Sequence, residues 1–299
     1  MKNLSINRIL TAIFAVSLIT FLFSCQKDVS SVSQDQLTEE QASTYSEEST
    51  VAEASFDDVE DLAQIAADEE NNASEYGLNG RGYFPSFTEL RASIGNCATI
   101  TVSPNDSTFP KTITVDFGNG CLGLDGKFRS GAIIIHLTAP LRRAGSVMTI
   151  TFRNYYVNRV HLEGSKIVSN LSDPPVHKWS VQIVGGKVTF PSGRGYSYEG
   201  LKYKKQVAGE DTRIVRDDVY EITGRSKTVF NNQTTVTINT EDALVKKVAC
   251  PWISDGTLKI KINDRVFFLD YGFPNNGDCD NKALLIWNNG NNQRVILLP

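Results

Sequence analysis

Histidine is scarce in this chain. Three occur in 299 residues, His136, His161 and His177, and they stand far apart. Each reads more readily as a strand or surface residue than as a base or a metal ligand. There is no Gly-x-Ser-x-Gly elbow, no His-Glu-x-x-His pair and no lysine-bearing phosphate loop. The common signatures of serine hydrolases, zinc proteases and nucleotide-cleaving enzymes are therefore missing. Gly118-x-Gly120-x-x-Gly123 matches a dinucleotide fingerprint in form only, because Cys121 interrupts it and a strand-like run follows where a helix is needed. The five cysteines lack Cys-x-x-Cys spacing, which argues against a zinc site. Beyond residue 25 no apolar run approaches the ~20 residues that span a bilayer. These absences point away from an enzyme and imply no cofactor. A hydrolase working through two carboxylates stays open, since their separation is set by the fold and not by spacing.

What is present begins with an address. Lys2 and Arg8 precede an apolar stretch, Ile9 to Phe23, that ends in Leu22-Phe23-Ser24-Cys25. Residues 1–25 read as a secretory signal peptide, and the Leu-x-Ser-Cys ending resembles a bacterial lipoprotein signal. That resemblance implies lipidation of Cys25, which becomes the new N-terminus. The membrane would then be a partner through acyl chains and not through a span, two or more chains giving stable attachment. A nucleic-acid partner does not suit such a protein.

From Gln26 to Glu75 the chain carries fifteen acidic residues against one basic residue, Lys27, a net charge of −14. Such a composition buries too little apolar surface to offset its chain entropy. Residues 26–75 are therefore expected to form a disordered acidic tether. Phe56, Val59, Leu62, Ala63 and Ala66 recur at helical spacing after Ser55, and predict a short helix over 56–67. The remainder, 76–299, has a net charge of +8 although the whole chain is at −4. Tether and body should attract each other weakly at physiological salt.

Residues 76–299 read with a period of two. Trp179, Val181 and Ile183, Leu258, Ile260 and Ile262, and Met148, Ile150 and Phe152 each alternate with polar residues. Alternation of this kind marks antiparallel strands with one buried and one wet face. Gly185-Gly186, Asn231-Asn232, Asn263-Asp264 and Asn289-Gly290 supply turn signals. Gly200 marks an expected bulge, where the apolar parity switches from Tyr196 and Tyr198 to Leu201 and Tyr203. The expected fold class is all-β: a large antiparallel meander of about a dozen strands, either a sandwich or one strongly curved sheet.

A weak internal repeat orders the cysteines. Cys97 begins a block that continues through Asp116-Phe117-Gly118 to Cys121; Cys250 begins one that continues through Asp270-Tyr271-Gly272 to Cys279. Four cysteines allow three connectivities. The repeat pairs Cys97 with Cys121 and Cys250 with Cys279, each bridge adding roughly 3–4 kcal/mol through loop-closure entropy. The blocks Thr112 to Cys121, Asp125 to Gly131 and Leu269 to Ala283 resemble a group of lipoproteins from Bacteroidetes without an assigned activity. The resemblance extends over most of 97–299 and implies a diderm envelope, at the outer membrane. It brings no functional residues with it. Asp106-Ser107-Thr108 also resembles the O-glycosylation signal of that phylum, with Ser107 as acceptor, though Pro104-Asn105-Asp106 would form a turn in any case. Asp116, Asp125, Asp270 and Asp280 are oxygen ligands of the type calcium prefers, and equally common turn residues. Tyr196 to Lys205 mixes rings with cations, a composition that can contact sugars or anionic polymers.

The expectation is thus a lipid-anchored envelope protein, a non-catalytic binding or structural module with an envelope protein or glycan as partner. The alternatives are a carrier of an apolar ligand in a curved β-sheet cavity, and a carboxylate-based hydrolase.

Overall fold

The computed structural model describes residues 39–298, apart from 81, 213 and 264. Cys25, the signal segment and residues 26–38 lie outside the described residues. A long helix, α1 (Glu39–Leu78), comes first, followed by a short one, α2 (Thr88–Ile94). Fourteen strands follow: β1 (Thr99–Ser103), β2 (Lys111–Asp116), β3 (Cys121–Leu122), β4 (Phe128–Leu137), β5 (Val147–Val157), β6 (Val160–Asn170), β7 (Lys178–Thr189), β8 (Gly195–Ala208), β9 (Val219–Phe230), β10 (Thr235–Lys247), β11 (Asp255–Ile262), β12 (Arg265–Asp270), β13 (Lys282–Trp287) and β14 (Asn292–Leu297). All belong to one antiparallel sheet in chain order, with β3 as a side branch on β4. The sheet does not close, for β1 pairs only with β2 and β14 only with β13. The sandwich alternative is therefore set aside: there is one sheet, not two.

The alternating runs occupy β5, β7 and β11, and their apolar residues point inward, Trp179, Val181, Ile183, Leu258, Ile260 and Ile262 all being buried. The asparagine turn signals fall between β9 and β10, β11 and β12, and β13 and β14. Gly185-Gly186 does not form a turn. It lies inside β7, where the register against β8 breaks between Ile183 and Gly186. Similar breaks recur between β4 and β5, β5 and β6, β6 and β7, β9 and β10, and β10 and β11. Gly164 shows why glycine is needed there. Its φ is +104°, and a Cβ would stand 2.6 Å from the Gly185 carbonyl oxygen across the strand pair. Breaks of this kind bend the strand and raise its twist.

The bending wraps the sheet around α1. Asp58 of the helix reaches Arg129 on β4 at 2.9 Å, and Asp61, one turn on, reaches Lys246 on β10 at 3.0 Å. In a flat sheet these strands would be about 29 Å apart, six spacings of ~4.8 Å. Both reach one narrow stretch of helix because the sheet curls.

Over residues 39–75 the expected disordered tether gives way to α1, and the helix predicted over 56–67 is its central part. Ten buried positions run along it, spaced alternately four and three apart: Ala42, Ser46, Ser49, Glu53, Phe56, Glu60, Ala63, Ala67, Glu70 and Ser74. Only four of these ten are apolar; the other buried apolar residues, Ala52, Val59, Leu62, Ala66 and Ala73, flank the seam, and all but Phe56, Val59 and Leu62 are alanines. Phe56 stacks on Tyr198 at 5.4 Å and meets Phe152 edge-on at 6.0 Å. The disorder argument fails because it treats the acidic side chains as solvated, whereas they meet buried cations on the sheet. Farther along, Glu70 accepts hydrogen bonds from Ser74 and Tyr83 and pairs with Lys111 at 3.1 Å. Glu69 accepts the Glu89 and Leu90 amides at the start of α2.

Cys97 is bonded to Cys121 and Cys250 to Cys279. The two blocks match in local structure. β2 ends on Asp116 and β12 on Asp270, and each carboxylate accepts the amide two residues on, Gly118 at 2.8 Å and Gly272 at 2.9 Å.

Candidate functional site

The inner face of the sheet is lined with cations as well as apolar residues. Lys111 on β2, Arg129 on β4, Lys166 on β6, Lys202 and Lys204 on β8 and Lys246 on β10 all point toward α1. Gly200 does not switch the parity of β8. Tyr196, Tyr198, Lys202, Lys204 and Gln206 keep one phase facing in, and Tyr203 faces out. The sequence-level reading preferred Leu201 and Tyr203 inside because it matched apolar to core; the structure matches charge to charge. Tyr196 and Tyr198 are accordingly not a surface stripe for sugars. Their hydroxyls donate to the Glu48 carbonyl and to the Glu53 carboxylate.

A lattice of ion pairs results. Lys166 Nζ lies 2.6 Å from Glu60 and 2.9 Å from Asp57, and donates to the Phe56 carbonyl at 3.0 Å. Lys204 reaches the other Glu60 oxygen at 2.6 Å, and Lys202 reaches Asp57 at 3.1 Å. Arg129 is shared by Asp58 and Asp125. Burial alone would raise the Glu60 pKa, but Lys166 and Lys204 outweigh it and hold the carboxyl at about 2. Asp57 and Asp58 are likewise depressed by their cations against the pull of burial. Asp68 goes the other way. Burial pushes it up to about 6, because Arg142 (3.4 Å away) must also serve Asp218, which repels it.

Beside this lattice lies a cavity of about 630 Å³ between α1 and the second half of the sheet. Ala54, Leu62 and Ile65 of α1 form one wall. Val181, Ile222, Leu244 and the loop from Val248 to Ile253 form the other, with Tyr271 and Leu298. Lys246 fixes this second wall: its ammonium donates to the Cys250 and Pro251 carbonyls at 2.8 and 2.9 Å while pairing with Asp61. The Cys250–Cys279 bridge ties the same loop down. The volume falls within the range of small-molecule sites.

The sequence-level candidates are not gathered here. His136, His161 and His177 sit on β4, β6 and the approach to β7, and none lines the cavity. Asp116, Asp125, Asp270 and Asp280 occupy separate turns. Asp116 and Asp125 are engaged by arginines, and Asp270 and Asp280 accept backbone amides of their own turns. Among the described residues no group of three or more His, Cys, Asp or Glu is placed to hold a metal ion. Ser107 is half-buried against α1, and a Cβ at Gly77 would stand only 2.0 Å from its hydroxyl. The helix carboxylates and Tyr271 were missed as site residues. The available signal was charge complementarity between an acidic segment and inward-phase lysines of β-strands. The chain matches no family model, no curated protein and no solved structure.

Proposed function

We propose that the protein is a lipid-anchored, non-catalytic module of the bacterial envelope that holds a mainly apolar ligand between its acidic helix and its curved sheet. The observation that carries the reading is the 630 Å³ cavity. A structural or purely surface-binding module has no need of a void that size. Its apolar walls suit an apolar guest, while Asp57, Asp58 and Glu60 are held ionised by lysines and Arg129. A hydrolase would need one carboxyl held protonated beside a second at the substrate. Asp68 lines the cavity and is raised to about 6, but its raised neighbour Asp218 does not line it. The anchor rests on the Leu22-Phe23-Ser24-Cys25 ending, and acyl chains on Cys25 in the intact mass of the mature chain would support it.

The test is a titration with N-phenyl-1-naphthylamine, whose fluorescence rises in apolar sites. The protein should bind it saturably near one equivalent. Ile65→Trp, which fills the cavity from the half-buried face of α1, should weaken binding by about tenfold or more. No saturable signal, or equal binding by the variant, would overturn the reading.

A further inference from the structure

Charged side chains deep in the cavity are already matched. Asp57, Glu60 and Asp61 answer Lys202, Lys204 and Lys246, with Lys166 behind them. A charged guest would have to break one of these pairs, which in a buried setting is strongly unfavourable. One polar group is left over. Tyr271 is only 7 % exposed and lines the cavity, near enough to Glu53 and Asp57 to feel their charge, and its hydroxyl makes no hydrogen bond to another described residue. Buried hydroxyls normally find a partner.

The internal repeat gives an independent reason to single it out. Tyr271 and Phe117 occupy the same place in the two blocks, one residue past the strand-ending aspartate whose side chain accepts the next glycine amide. Phe117 is also buried, 4 % exposed, but packs against Tyr155 and does not line the cavity. A plain phenyl ring therefore satisfies the packing of this turn. The extra oxygen stands only in the block that borders the void.

We infer that Tyr271 is the orienting group of the cavity, and that the ligand class is an uncharged apolar molecule carrying a carbonyl oxygen that accepts the Tyr271 hydrogen bond. This rests on the ligand-binding reading above and deepens it.

The test compares 6-propionyl-2-(dimethylamino)naphthalene, a neutral ketone whose emission moves to the red when its carbonyl is hydrogen-bonded, with N,N-dimethyl-2-naphthylamine, which lacks the carbonyl. Tyr271→Phe should bind the ketone about fivefold more weakly, the loss of roughly one hydrogen bond. The bound emission should move to the blue. Affinity for the carbonyl-free amine should not change, which also shows that the variant's cavity is intact. Equal ketone affinity in both proteins, or equal weakening of both dyes, would make Tyr271 a packing residue and overturn the inference. Binding of N-phenyl-1-naphthylamine without any binding of the ketone would overturn it too, and leave the cavity reading standing. If none of the three dyes binds, both fall together.

Discussion

Replacing Lys166 with alanine should destabilise the fold by about 3–5 kcal/mol, the usual result of removing one partner from a buried ion pair. It should appear as a lower urea midpoint with an unchanged slope. Lys166 is fully buried and serves three acceptors at once: Asp57, Glu60 and the Phe56 carbonyl. Its loss leaves the buried Glu60 and the half-buried Asp57 sharing the lysines of β8, and strips a carbonyl of its partner inside the curl. Arg153→Ala is the contrasting case. Arg153 pairs with Asp116 at 2.6 Å, yet its side chain is 56 % exposed, and such pairs contribute about 1 kcal/mol or less. Equal losses in the two variants would mean that the helix is not held by buried charge.

The second large effect is a stability maximum near pH 4, set by carboxylates that move in opposite directions. Glu60 is depressed from 4.5 to about 2, so below pH 4.5 the unfolded chain takes up a proton that the folded chain refuses. Its contribution is complete above 4.5 and is lost as the pH falls toward 2, about 3 kcal/mol in all. Asp57 and Asp58 act in the same sense. Asp68 is raised from 3.8 to about 6. The folded state keeps its proton while the unfolded state loses it, so stability drops by about 3 kcal/mol as the pH climbs from 4 to 6. Asp218 is raised as well and adds to this limb. Urea midpoints measured from pH 2 to 8 should rise steeply to about pH 4 and then decline. Asp68→Asn should flatten the decline and leave the acid limb in place. A midpoint rising steadily to pH 7 would contradict the assignment of Asp68.

Most of the sheet was legible in the sequence because its strands obey a local rule. An antiparallel strand with one wet face must alternate, and Leu258, Ile260 and Ile262 do so without reference to anything distant. The cysteine repeat was legible for a similar reason, since each block lies within about 30 residues. The helix was not. Its buried face mixes nine apolar residues, mostly alanines, with eight polar ones, and the acidic ones are answered by Lys166, Lys202 and Lys204 more than a hundred residues away. Those lysines were hidden in turn by an expectation that inward strand positions are apolar. That expectation moved the phase of β8 at Gly200, where the chain in fact runs straight through. Each half of the lattice looked like surface until the other half was placed opposite it. The cavity inherits the same obscurity, as it is framed between two elements whose contact is partly electrostatic. Tyr271 sat in a recognised block, but only its position beside the void distinguishes it from Phe117.

Hydrogen exchange followed by mass spectrometry tests the central claim, that the acidic segment is a docked helix and not a leash. Amides of 53–70, enclosed by the sheet and locked through Glu53, Asp57, Asp58 and Glu60, should exchange as slowly as those of β7 and β8. Complete exchange of 53–70 within seconds at neutral pH, while the strands remain protected, would contradict it.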